Sequence, residues 1–416
     1  MDRRYQGQRR KNFPSSSSFN SSTGFRSNQT KSTKVSNFSI NTPKNENNSI
    51  NIHGGRNTKQ EDEVQAEAIV GTCPFMCPED ERVQRQRLRD LAFFERLNGD
   101  PSKSSPVLAV KKFCRTMSAK QVQASEVRPL LVLEDTLNYL LNFLDSKEHP
   151  FEVIHDFVFD RTRSIRQDLT MQNIVNDRVV HMYEKMVQFH VISHHKLRSS
   201  CTSSSISSVH YLNLEQFTKA LTSLYNLYEV NRGSNSTFGN EAEFYSFYVL
   251  LHLDSDGQAT SFSDLQGESL SLWFRRVPSS IIKSREMCFA RRVLRYFRMG
   301  NYRRFLCAAA KASYLQYCII EPYIDQVRAF ALCCINNCGY KLHPYPVMHL
   351  SKLLMMEESD VELFCNACGL ETCTDEVGNK LLPTKQTTFN RPKEGFQRYS
   401  FLGLEQLERQ IASFNI

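Results

Sequence analysis

The chain has 416 residues, 40% of them apolar, which is room for two or three domains with packed cores. Its formal charge of +8 is uneven: residues 1–60 carry eleven Lys and Arg against Asp2 and Glu46, and the rest is balanced to within about one charge. No run of 18 apolar residues and no signal-peptide core occurs, and thirteen cysteines lack the spacing of a small secreted domain. This excludes a membrane-spanning helix and a disulfide-stapled module, and predicts a soluble intracellular protein with reduced thiols.

Residues 1–64 are rich in Ser and Asn and basic, with too little apolar surface to offset chain entropy, so a disordered tail is expected. Its Arg3, Arg4, Arg9, Arg10 and Lys11 suit a nuclear-import signal or a loose RNA contact, and equally an ordinary solvated tail. From Glu61 the chain turns helical. Pro78 followed by Glu79, Asp80 and Glu81 marks a helix start, with the acids at the positive end of the helix dipole and an expected end near Asn98. Cys73 and Cys77 have no second pair to complete four metal ligands, so they read as structural thiols beside a tight turn.

Amphipathic helices follow. Leu130, Leu133, Leu137, Leu140, Leu141 and Leu144 step by three and four, as do Val175, Val179, Met182, Met186 and Phe189, and then Leu214, Phe217, Leu221 and Leu224. Polar breaks at 199–208 and 231–240 separate them at the spacing of stacked helical hairpins. Between the first two lies 157–172, in which charged and amide side chains stand between apolar ends. Asp160, Arg161, Arg163, Arg166 and Asp168 are expected to form a largely internal polar network at a helix–helix junction, the alternative being a solvated face with a few ion pairs. His190, His194 and His195 have helical spacing but no carboxylate motif, and read as surface or interhelix residues.

Residues 274–305 hold ten Arg and Lys against Glu286 alone. Arg275, Arg276, Arg291, Arg292, Arg295, Arg298, Arg303 and Arg304 are the RNA-binding candidates, interleaved with Phe289, Tyr296, Phe297, Tyr302 and Phe305. The same pattern also fits core aromatics with arginines facing a partner's acids. Near the end, two short helices (347–356 and 360–368, stopped by Gly369) precede strand-like 371–373 and 385–389 around a Gly378-Asn379 turn, a winged-helix order. Cys365, Cys368 and Cys373 lack a fourth zinc ligand unless His343 or His349 supplies it, and no metal or cofactor is expected.

Four blocks carry a resemblance: Gly71-Thr-Cys-Pro-Phe-Met-Cys-Pro-Glu-Asp-Glu-Arg82, the stretch from Arg128 to Leu141, Asp160 to Gln172, and Gly300-Asn-Tyr-Arg-Arg-Phe305. Together they resemble the Sac-three/GANP family, whose signature maps to Cys73, Met76, Cys77, Pro78, Glu81 and Arg82. The resemblance implies a mainly α fold of stacked PCI/TPR-like helical hairpins (65–340) closed by a winged helix (341–405), with a short tail at 406–416. It also implies a non-catalytic scaffold of the transcription-and-export complex TREX-two, carrying messenger ribonucleoprotein from the nucleus to pores at the nuclear envelope. The implied partners are a second PCI-domain subunit, a small acidic proteasome-lid-type protein, RNA and nuclear pore components, with no membrane. The chain ends at Ile416 without the family's centrin-binding helix, so it looks like a short relative of the plant-C or spindle-associated type. The residues offer no phosphate loop, H-E-x-x-H or G-x-S-x-G motif. A spindle or centrosome adaptor acting without RNA, and a thiol or zinc enzyme, are the other classes open.

Overall fold

A computed structural model describes residues 69–116, 122–200, 204–232, 238–254, 270–338, 343–391 and 399–403. The chain divides into Met1–Val64 and Gln65–Ile416, and all described residues belong to the second unit. The expected disordered tail lies outside them, as does 406–416. The described part is mainly helical, with thirteen α-helices and three short strands among the described residues.

Helix α1, Glu79–Leu88, starts at Pro78 as expected but ends ten residues short of Asn98. Arg89 takes φ 55, its amide bonds back to the last turn, and a single 3₁₀ turn at Phe93–Glu95 follows. Helices α2 (Leu130–Leu141), α3 (Phe151–Met171), α4 (Asp177–Ser200) and α5 (Ser204–Arg232) bury the predicted leucine, valine and phenylalanine faces in one continuous core, except Val175, which precedes α4 and is exposed. Thus α4 and α5 run closer together in sequence than the 199–208 break suggested.

One expectation is corrected here. The 157–172 stretch is not a helix–helix junction, since α3 runs through it unbroken. Its mixed character arises because the helix is covered on both sides. Segment 108–116 and Arg128 pack on one side, and Asn213 and Gln216 of α5 reach the other.

Helix α6 (Glu241–Leu251) is buried from Phe244 to Leu251, and it packs on α9 (Arg285–Arg298). Trp273 of α7 (Leu270–Arg276) stacks on Tyr248 with ring centroids 4.4 Å apart, fixing α7 against α6. After α8 (Ser279–Ile282), Ser284 caps α9 by accepting from Met287 N at 3.2 Å, and Asn301 caps α10 (Tyr302–Ala309) by accepting from Arg304 N at 3.2 Å. Gly300 turns the chain between them at φ 62, where a Cβ would meet the Phe330 ring at 2.7 Å. Helix α11, Tyr314–Cys338, joins two cores: Leu315 to Val327 pack into the first, and Ala329, Ala331 and Leu332 into the second.

The second core belongs to β1 (Tyr345–Pro346), α12 (Val347–Leu354), α13 (Glu358–Ala367), β2 (Cys373–Thr374) and β3 (Lys380–Leu382). The sheet is antiparallel in the order β1-β3-β2, with Tyr345 opposite Leu382 and Cys373 opposite Leu381. The hairpin turns at Asp375–Asn379 as expected, but 385–389 is not a strand. There Lys385 N and Gln386 N bond to Asn336 instead, at 2.9 Å each, which holds the segment on α11.

Candidate functional site

Two charge features dominate, one internal and one exposed. The internal one is a pair of carboxylates, Asp168 of α3 and Glu95 of the 3₁₀ turn at Phe93–Glu95. Asp168, fully buried, accepts from Lys111 Nζ at 2.7 Å and Arg128 Nε at 2.8 Å, both of which are buried too. Arg128 also donates to Ser164 Oγ (2.8 Å) and the Met76 carbonyl (3.2 Å). Glu95 accepts from Arg161 Nη2 at 2.9 Å and pairs with Arg85, while its other oxygen takes Val110 N at 2.9 Å. Neighbouring Val110 and Lys111 therefore stitch the two carboxylates together. Gln172 completes the clamp: it donates to the Arg128 carbonyl (2.9 Å) and accepts from Gly71 N (3.0 Å). Charges removed this far from water persist only when paired on several sides, so the clamp fixes the 71–82 and 108–116 segments on α3.

The structure does not bring the five expected network residues together. Asp168 and Arg161 lie in different halves of the clamp, and Asp160 pairs with Arg161 while accepting from Phe113 N at 3.2 Å. Arg163 lies over the Phe113 ring at 3.9 Å, its pKa lowered by burial. Arg166 faces α5, donating to Gln216 Oε1 at 2.7 Å. What the sequence reading missed are the partners, Glu95, Arg85, Lys111, Arg128 and Gln172. The available signal was a charge inside an apolar run, as with Lys111 after Leu108-Ala-Val110 and Arg128 beside Val127 and Leu130.

The 71–82 residues serve this clamp. Cys73 and Cys77 are buried, and the Met76 carbonyl takes Lys111 N (2.9 Å) as well as Arg128. Pro78 opens α1, Glu81 accepts from Lys112 N at 2.7 Å, and Arg82 pairs with Glu79 at 2.9 Å. Burial pushes the Cys77 thiol up to about 12, and Cys365 and Cys368 likewise, so none is a thiolate at neutral pH. Cys373 is exposed on β2, apart from those two, and among the described residues no three metal-ligating side chains cluster. The histidines lie between helices: His190 Nδ1 is 2.9 Å from Asn213 Oδ1, His194 Nδ1 is 2.9 Å from His210 Nε2, and His195 Nδ1 is 3.5 Å from Glu321.

The exposed feature is the basic surface of α7, α9 and α10. All eight candidate arginines are exposed. Helix α9 buries Met287, Ala290, Val293 and Leu294, and its arginines flank that stripe on two sides. Arg291, Arg295 and Arg298 share one flank, while Arg292 shares the other with Arg285 and faces a cleft that Arg304 of α10 also lines. All five interleaved aromatics pack against the core: Phe305 is fully buried, and Phe289, Tyr296, Phe297 and Tyr302 are partly buried.

The class these observations define is a mainly helical protein with a charge-clamped N-terminal segment, a basic surface and a small α/β module. The SAC3/GANP family model matches residues 76–374, and the chain belongs to that family. It is 35% identical to SAC3 family protein B of Arabidopsis thaliana over 306 residues, 73% of this chain and 18% of that protein. SAC3 family protein 1 of Schizosaccharomyces pombe is 30% identical over 378 residues, 86% of this chain and 35% of that protein. Protein xmas of Drosophila melanogaster is 27% identical over 348 residues, 79% and 16% respectively. The chain thus spans only 16 to 35% of the length of these relatives.

Proposed function

We propose that the chain is a non-catalytic scaffold acting in messenger RNA export from the nucleus, as part of a TREX-two-like complex. In this reading the helical array is a PCI-type array, and β1-α12-α13-β2-β3, with its β1-β3-β2 sheet, is a winged helix that pairs with a second PCI subunit braced by a small acidic protein. RNA lies on the α7, α9 and α10 surface. Family membership supports the scaffold role, and the observation that carries the RNA reading is that surface: eight exposed arginines on α7, α9 and α10, in a stretch with one acid. Cations so arranged attract phosphate through counterion release without reading bases.

The test is ultraviolet crosslinking of RNA to the tagged full chain in nuclei, with crosslinked peptides mapped by mass spectrometry alongside the co-purifying proteins. Crosslinks within 270–305 and recovery of a PCI-type partner are expected. Recovery of spindle or centrosome proteins with no RNA crosslink would move the protein to the adaptor class.

A further inference from the structure

The basic surface is not uniform, because the cleft between the start of α6, α9, α10 and the α10–α11 turn has a volume of about 670 Å³. That lies within the roughly 300–1,000 Å³ typical of small-ligand sites. Arg285, Arg292, Arg304 and Lys311 stand exposed around it, and their side chains make no ion pair or hydrogen bond among the described residues. Inside, the polar groups are already satisfied. Ser313 donates to Glu243 at 2.8 Å, and Gln316 donates to Ser246 at 3.2 Å. Half-buried Phe289 and Tyr296 present ring surface to the same space.

Four cations meet two carboxylates here, Glu243 and Glu286, and both acids are more buried than the cations. Burial raises the Glu243 carboxyl, and the charge of Glu286 adds to that rise against the hydrogen bond from Ser313. A phosphate is therefore held off the interior and drawn to the rim, while a neutral aromatic group is admitted further in. A base with its phosphate divides its polarity in this way.

We propose that this cleft holds one nucleotide of a single-stranded RNA, its base against Phe289 and Tyr296 and its phosphate on Arg285, Arg292, Arg304 and Lys311. The proposal rests on the RNA reading of the basic surface and narrows it to one flank of α9. Arg295 and Arg304 both lie over the Tyr296 ring, at 5.7 Å and 5.9 Å, whereas Arg291 of the opposite flank lies over the Phe274 ring at 5.9 Å and, with Arg275, contributes only to the diffuse field.

The test uses the full chain and a short fluorescent single-stranded RNA, with affinity read by anisotropy. The double variant Arg292→Glu with Arg304→Glu is expected to weaken binding about tenfold or more and to lower the log–log salt slope by about 0.7 per lost contact. Arg275→Glu with Arg291→Glu, both outside the cleft, is expected to change affinity less than about threefold, with both melting curves unmoved because the residues are exposed. A second readout is local: Cys307, exposed in the cleft, should be shielded from maleimide by RNA, while Cys373 on β2 reacts unchanged. Shielding of Cys307 by adenosine monophosphate as strong as by RNA supports the site with free nucleotide as its source. Loss of binding only in the Arg275/Arg291 variant, equal loss in both, or an unshielded Cys307 overturns the cleft and leaves the RNA reading intact. Unchanged binding in both variants overturns the two together.

Discussion

Asp168 and Glu95 each hold two cations out of water, and the energetic weight of the N-terminal segment rests on them rather than on Arg166. Asp168→Ala strands Lys111 and Arg128 as buried, unpaired charges and should cost about 3–5 kcal/mol in urea denaturation. Arg166→Ala removes a half-buried hydrogen bond to Gln216 and should cost about 1–2 kcal/mol. The reverse order would show that the clamp is not the main constraint. A second residue-level consequence concerns pH. Burial holds His155 and His210 down to about 4 and His190 to about 3, below their unfolded value, so the unfolded chain takes up protons first. Their contribution is intact above about pH 6.5 and is lost as pH falls from there toward 4. Denaturation midpoints should therefore drop between pH 7 and 5, and His190→Gln should flatten that slope. A midpoint level across this range would contradict the assignment. The charged residues of 157–172 were legible as something built, because six polar groups between apolar ends rarely all face water. Their partners were not, since Glu95 is 66 positions from Arg161 and Lys111 is 57 from Asp168, and only tertiary packing joins them.

At the scale of elements, leucine and phenylalanine periodicity located α2, α4 and α5 because each buries one stripe in a shared core, which periodicity reports directly. The C-terminal end of α1 and the strands escaped it. The stop at Arg89 is a left-handed backbone step by a residue other than glycine, and strands of two or three residues carry too few alternations to be read. The turns between elements give a sharper test. Gly71 has the Val127 carbonyl 2.6 Å from where a Cβ would be, on backbone that cannot yield without breaking the Cys73 N to Val127 O bond of 3.0 Å. Gly71→Ala should therefore lower the melting temperature by several degrees, by about 1–3 kcal/mol of overpacking. An unchanged melt would mean that the 71–77 segment is not clamped as described. Arg328 of α11 ties the two cores, donating to the Leu354 (3.1 Å), Met355 (2.9 Å) and Ser400 (2.8 Å) carbonyls. Arg328→Ala should raise hydrogen exchange in α12 and at 399–403 while leaving α3 to α5 protected, and uniform exchange would remove α11 as the bridge.

For the whole molecule, α11 is shared between the helical array and the terminal module, so the module is an extension of the array rather than a bead on a linker. That arrangement suits a scaffold, in which a partner gripping one end is held in fixed relation to a ligand on the other. A chain ended after Tyr340 would expose Ala329, Ala331 and Leu332 and leave Arg328 without its carbonyl acceptors. It should keep α2 to α6 folded, read by circular dichroism, and, if the proposed pairing with a PCI-type subunit holds, no longer retain that subunit in a pull-down. The sequence revealed the concentration of charge at 274–305, since ten cations in one neutral background stand out in any count. It did not reveal that α9 divides them into two flanks, which only the buried stripe of Met287, Ala290, Val293 and Leu294 decides. The measurement that bears most directly on the central claim is the salt dependence of RNA affinity for the full chain. Phosphate contacts by this surface predict a straight log–log line whose slope steepens by about 0.7 per contact, the same for oligouridine and mixed sequences. A slope near zero, or an affinity that follows base sequence at constant salt, would contradict an arginine surface that holds the RNA backbone.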